Sequence, residues 1–128
     1  MSWVSYNANR DGEKTVDCTV RAIATVLDQS WDETYIGLCM QGYIMASMPS
    51  GNEVWGAYLH NKGWRRGMVE DACPECFTVR DFCERFPKGK FLLAISGHVV
   101  AVIDGKYYDT WDSGTCVPIY FWEEKKED

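Results

Sequence analysis

The 128-residue sequence predicts an α+β fold in which an N-terminal helical lobe packs on a C-terminal antiparallel β-sheet, and three observations carry that prediction. Before about residue 64, apolar residues recur at three- and four-residue steps, the period of one helix face. After residue 90 they gather into short runs rich in β-branched and aromatic residues, the composition of strands. Between two of those runs stands Asp104-Gly105, a strong hairpin signal because a type I′ turn needs positive φ at both central positions. There is no internal repeat and no low-complexity linker. Residues 1–122 therefore read as one domain, and 123–128, of mixed charge and without an apolar position, as a flexible tail.

In the first helix, 17–27, Val20, Ile23, Ala24 and Leu27 form the apolar face and Asp17 is the expected N-cap. Ser30-Trp31-Asp32-Glu33 has the spacing of a capping box and opens a second helix with Tyr35, Leu38 and Cys39 or Gly42 on one side. Gly51-Asn52 precedes a short third helix over 53–59 that Gly63 ends, and Gly56 in its middle works against regularity. Thr78-Val79-Arg80-Asp81 repeats the capping pattern ahead of Phe82, Cys83 and Phe86, a connecting helix that Pro87-Lys88-Gly89 stops. Strands are expected over 91–95, 99–103, 106–111 and 117–122.

With 46% hydrophobic and 25% charged residues the chain has the balance of a folded protein rather than a disordered one. Six Trp, seven Tyr and five Phe supply large buried areas, so the core needs no cross-links. A net charge of −6, with only Arg65-Arg66 and Lys88-Lys90 clustered, argues against nucleic acid as a partner. No apolar run approaches the ~20 residues of a membrane span, and the polar start lacks a signal peptide's apolar segment. The expectation is a cytoplasmic protein whose six cysteines are reduced thiols, with no membrane partner; the oligomeric state is left open.

The hairpin predicts which side chains meet. With Asp104 and Gly105 as the turn, Ile103 pairs with Lys106, Val100 lies opposite Asp109, and His98 lies opposite Trp111. Asp109 then sits diagonal to His98 on one face and Asp112 on the other; an odd-length loop would reverse the parity and select Asp112. A nucleophilic thiol needs a base within reach, and the base needs a third group to fix its tautomer. Cys18 sits where the first turn of a helix offers unpaired N–H groups and a positive dipole end, which lower a thiol's pKa and can hold an oxyanion. The candidate catalytic residues are thus Cys18 as nucleophile, His98 as base and Asp109 as orienter, with Asp112 in reserve. Against this stands the plain reading, in which such a cysteine is a small buried hydrophobe and such a histidine a satisfied core or surface residue.

Asp17-Cys18-Thr19-Val20-Arg21-Ala22, then Gly97-His98-Val99-Val100-Ala101-Val102, then Tyr108-Asp109-Thr110-Trp111, resemble in order the Cys, His and Asp/Asn blocks of papain-like cysteine peptidases. Asp109-Thr110-Trp111 is similar to the Asn-Ser-Trp element of papain, and the interval from Cys18 to His98 resembles the bacteriocin-processing peptidase domains of ABC exporters. The Asp-Cys-x-x-Arg-Ala start, Pro87-Lys88-Gly89 and the Gly-His…Tyr-Asp-Thr-Trp-Asp-Ser stretch resemble small proteins of bacteriophages and gut bacteria with this fold. The resemblance spans about residues 15 to 113. It implies a papain-like fold with the site in a cleft between lobe and sheet, amide hydrolysis through a thioester, a peptide or protein substrate, no cofactor and no catalytic metal. It also implies that Trp111 shields the His98–Asp109 hydrogen bond. One departure is Gly12, which stands where such peptidases often carry the oxyanion-hole Gln; Asn7, Asn9 and Thr15 are the side chains that could substitute.

Two further readings compete. Cys73-Pro74-Glu75-Cys76 has zinc-site spacing, which Cys83, Cys116 or His60 would have to complete, and no second such pair exists. A module of a different class, keeping the fold without turnover, would bind or inhibit a partner, for instance as a phage protein engaging a host protein. Arg21, one turn after Cys18, pairs with an acid, holds a substrate carboxylate or is a solvated helix arginine, and His60 reads as a surface residue.

Overall fold

The computed structural model describes residues 2–69 and 77–124. In chain order the elements are β1 (Trp3–Ser5), α1 (Cys18–Leu27), α2 (Trp31–Met45), α3 (Asn52–Asn61), β2 (Trp64–Met68), α4 (Val79–Arg85), β3 (Lys90–Ile95), β4 (His98–Ile103), β5 (Lys106–Asp109) and β6 (Tyr120–Glu124). The α+β class is as the sequence predicts. The sheet has the order β1-β5-β4-β3-β6-β2 and is mixed rather than purely antiparallel, because β1 runs parallel to β5. β1 comes from the chain's start, so the sheet is not a purely C-terminal unit, and β2 follows directly on α3. Neither strand announces itself: β1 has three residues, and in β2 Arg65 and Arg66 are exposed beside a single buried Trp64.

After their first residues, Lys90 and His98, the central strands β3 and β4 are apolar without interruption because both faces of the sheet are covered. On one side Leu92, Ala94, Val99 and Ala101 meet Ile23 and Val26 of α1, Leu38 of α2, and Trp55 and Leu59 of α3. On the other, Phe91, Leu93, Val100 and Val102 meet Val79, Phe82 and Cys83 of α4 together with Tyr107. The helix expected to serve as a connector is therefore the lid of a second core. α3 runs through Gly56 unbroken, and the glycine stands where the Trp122 ring passes, since a Cβ there would lie 3.1 Å from the ring.

Capping follows the sequence in two of three cases. Ser30 accepts from the Glu33 N–H, and Thr78 and Asp81 form a reciprocal box. Asp17 does not cap α1, because its carboxylate is committed to three side chains instead. The last strands also differ from expectation. β5 ends at Asp109, where the carboxylate turns back to accept the Thr110 N–H. β6 starts only at Tyr120, two residues beyond Pro118, which has no N–H for a ladder, and runs on to Glu124. Glu123 and Glu124 are thus strand residues paired with β2, not part of a tail, and Arg65 Nε lies 2.5 Å from Glu123 Oε1.

Candidate active site

Three local features bring the predicted residues to one place. α1 begins at Cys18 and packs along β4. His98 opens β4 after a two-residue turn, Ser96-Gly97, in which Gly97 takes φ +72° and Ile95 pairs with His98. The next turn is the expected one: Asp104 and Gly105 have φ 49° and 76°, and Ile103 pairs with Lys106. The ladder runs as far as Ala101 with Tyr108, and just beyond it the His98 Nε2 atom lies 2.6 Å from Asp109 Oδ2. Asp112 falls on the far side, where it accepts from the Tyr107 hydroxyl, from Arg80 Nη2 at 2.8 Å and from the Gly114 N–H.

Asp109 is held on every side. Ser113 Oγ donates to Oδ2 at 2.8 Å, the Thr110 N–H donates to Oδ1 at 2.8 Å, and Arg21 Nη1 stands 3.6 Å from Oδ1. Its backbone carbonyl accepts from the Tyr6 N–H and the Trp3 indole, which ties β1 to the site. The Trp111 ring lies 5.0 Å from that of His98, tilted by 37°, over a histidine side chain only 12% exposed and a carboxylate 2% exposed.

The Cys18 thiol faces the same imidazole. Burial pushes its pKa up, but the His98 hydrogen bond and charge, the Val99 backbone and the Thr19 hydroxyl together carry it below the ordinary thiol value. Burial likewise disfavours a charged His98, yet hydrogen bonds and charge from Asp109 and Cys18 push its pKa up to about 9. Asp109 resists its own burial and stays below the usual carboxylate range through His98, Ser113 and the Thr110 N–H. With Nε2 given to Asp109, Nδ1 is the ring nitrogen left for sulfur. All three shifts run in the direction of a thiolate–imidazolium pair backed by a carboxylate.

The start of α1 offers the backbone donors that the sequence places beside Cys18. No side chain caps α1, so its leading N–H groups are free beside the thiol. Gly12 stands in open space, and Asn9 and Asn7 are already engaged, Asn9 Nδ2 with Asp17 Oδ2 and Asn7 Nδ2 with the Glu13 carbonyl. Cys18 and His98 open onto a cleft of about 500 Å³ whose wall includes Asn52. The Asn52 Oδ1 accepts from the Trp55 indole, and among the described residues its Nδ2 donates to none.

No family model, curated protein or solved structure matches this chain. What the site does is therefore argued from its own geometry.

Sequence reasoning left several of these groups aside. Arg21 is not a solvated arginine: at 13% exposure it donates from Nε to Asp17 Oδ1 at 2.7 Å and stands against Asp109. Its four-residue spacing from Asp17 was the available signal. Ser113 and Asn52 carried no signal, since one acts across a bend and the other from a distant helix start. His60 is exposed, as expected. Cys18, Cys39, Cys83 and Cys116 are free, and Cys83 is buried with its thiol pushed up to about 11, so it is unreactive at neutral pH. Cys73 and Cys76 lie outside the described residues, among which no group of three metal-ligating side chains converges. None of the described helices is long and apolar enough to cross a membrane.

Proposed function

We propose that this chain is a papain-like cysteine peptidase or amidase that hydrolyses an amide of a peptide or protein through a thioester on Cys18. The observation that carries the reading is the buried line Cys18–His98–Asp109, in which the thiol is easier to ionise and the imidazole harder to deprotonate than usual. The Cys18 sulfur adds to the carbonyl carbon, and the oxygen takes the π electrons as an oxyanion facing the α1 N–H groups. His98 passes its Nδ1 proton to the leaving amine as the C–N bond breaks, which leaves the thioester and a neutral imidazole. Neutral His98 then takes a proton from water, the hydroxide adds to the thioester, and collapse releases the acid and the thiolate beside a protonated His98. Asp109 stays ionised throughout and holds the ring. Free thiols and an ionised Cys18 suit a reducing compartment such as the cytoplasm.

One observation favours the rival reading, a papain-fold binding or inhibitory module: the Gln position of the resemblance is Gly12, and a Cβ there would meet nothing within 4 Å. Iodoacetamide at neutral pH with peptide mapping separates the two. Turnover chemistry requires Cys18 to be alkylated about 10-fold or more faster than the other five cysteines, with the advantage lost in His98→Ala. Reactivity no greater than theirs overturns the enzyme reading and leaves the binding module.

A further inference from the structure

From Thr34 to Asn52 the chain carries no charged residue, although a quarter of its residues are charged. α2 lies largely within that stretch and is apolar on two opposite sides. Its inner side, where Thr34, Leu38 and Gly42 are buried, serves the core. Its outer side carries Ile36 at 61% exposure, Met40 at 58%, Ile44 at 71% and Tyr43 at 85%. Steps of four residues set Ile36, Met40 and Ile44 in one ridge along the helix, with Tyr43 beside it. A surface helix ordinarily turns a polar face to water, and one that is apolar all round is ordinarily covered. At those exposures the four side chains present on the order of 600 Å² of largely apolar surface, the upper end of the largest patch on a typical monomer. Residues 70–76 and 125–128, outside the described residues, contain no large apolar side chain that could be laid on it.

We propose that the outer face of α2 is a dimer interface and that its occupant is a second copy of this chain, docked antiparallel about a two-fold axis near Met40. The ridge reads the same from either end, Ile-x-x-x-Met-x-x-x-Ile, so an antiparallel copy sets Ile36 against Ile44 of the partner subunit and brings the two Met40 side chains together. Two chains of net charge −6 repel one another, and the surface they share must be free of charge, as this one is. Methionine and tyrosine are also the residue types that interface cores favour. The only charged residues of α2, Asp32 and Glu33, stand at its N-terminal end, outside the ridge, and antiparallel pairing opposes the two helix dipoles. A lipid surface is the poorer fit, because helices that lie on membranes flank the apolar face with Lys and Arg, and α2 has neither. The area suffices for a dimer of moderate strength. Two such faces bury about 1,200 Å², the lower end of specific, stable interfaces, so association is expected in the micromolar range.

Sedimentation equilibrium of the full chain tests this independently of any chemistry at Cys18. Over about 1–300 μM the weight-average mass should rise from 14.7 kDa toward twice that value, and the melting temperature should rise with concentration. Met40 is a surface residue, so Met40→Glu and Met40→Lys both keep the fold. Each variant alone sets like charges across the axis and should dimerise at least about 10-fold more weakly, with a melting temperature that no longer depends on concentration. An equimolar mixture of the two sets opposite charges across the same axis and should recover the dimer. A wild-type chain that stays at 14.7 kDa throughout overturns the proposal. So does a dimer that persists in both variants, which puts the contact on another face, or a mixture that remains monomeric, which removes Met40 from the axis. A monomeric wild type that floats with phosphatidylcholine vesicles, where Met40→Glu does not, overturns it as well and gives the face to lipid.

Discussion

Substituting Asp109 should move the titration of His98 by more than two pH units, and the chain is well suited to showing it because His98 and His60 are its only histidines. In the folded chain His98 titrates at about 9, against an ordinary 6.5, because Asp109 and Cys18 together outweigh its burial. That rise corresponds to about 3 kcal/mol in favour of the imidazolium, and little of it is screened in so buried a pair. In Asp109→Ala the largest favourable partner is gone and burial remains, so His98 falls toward 6.5; Asp109→Asn keeps a hydrogen-bond acceptor without the charge and lies between. At pH 8 a return to 6.5 would cut the protonated fraction about 30-fold. The imidazole Cε1–H signals followed by NMR over pH 5–10 measure this directly. Stability should follow with a fixed sign. A raised folded pKa stabilises fully below 6.5, and that stabilisation is lost as pH rises through about 9. The depressed Cys18 thiol acts with the opposite sign over the same interval, so the comparison belongs in a Cys18→Ser background, where urea midpoints should decline over that interval and hardly at all once Asp109→Ala is added. A wild-type His98 that titrates near 6.5, or one indifferent to Asp109→Ala, refutes the thiolate–imidazolium assignment.

Other substitutions probe the surroundings. Asp112→Asn should leave Cys18 alkylation within about 2-fold of wild type, because that carboxylate serves Arg80, Tyr107 and Gly114 instead of His98, while thermal melting drops. Arg21→Met removes the cation between two buried acids and should cost about 3 kcal/mol in urea unfolding at pH 7. In the same variant His98 should titrate above its wild-type value, because Arg21 no longer competes for Asp109; a fall would count against the bridge. Asn52→Asp keeps an acceptor for the Trp55 indole but removes the Nδ2 donor from the cleft, so turnover of a cleaved peptide should drop about 10-fold or more at unchanged melting temperature.

The site was more legible in the sequence than the sheet around it. A two-residue Asp-Gly turn fixes the register of β4 and β5 and puts Asp109 within diagonal reach of His98, but parity does not account for Asp112, which beyond the end of β5 turns back to Tyr107 and Arg80. Cys18 could be placed at a helix mouth because the periodicity beginning there is local as well. β1 and β2 could not be read, since their existence depends on partners at the far end of the chain, Tyr107–Asp109 and Tyr120–Glu124. The same holds for Arg21: its bond to Asp17 is one helical turn away and visible in spacing, but its approach to Asp109 exists only after α1 has docked on the sheet.

That docking explains why a carboxylate can face His98. Asp17, Arg21, Asp109, His98 and Cys18 form a line of alternating charge, in which each ionised group has its opposite as neighbour. An aspartate facing His98 in a dry site would otherwise lift its own pKa and take the proton it is meant to hold in place. Arg21 and Ser113 prevent this from behind, and Asp17 in turn neutralises Arg21. A neutral orienter would need none of these supports, but it would hold His98 less firmly in its charged form. The buried Asp17–Arg21 pair, three links from the sulfur, stands behind the carboxylate that, together with Cys18, keeps the imidazolium charged up to about 9. It also accounts for Asp17 giving up the cap of α1: the acid is used to balance Arg21, and the helix N–H groups it would have covered are left facing the thiol.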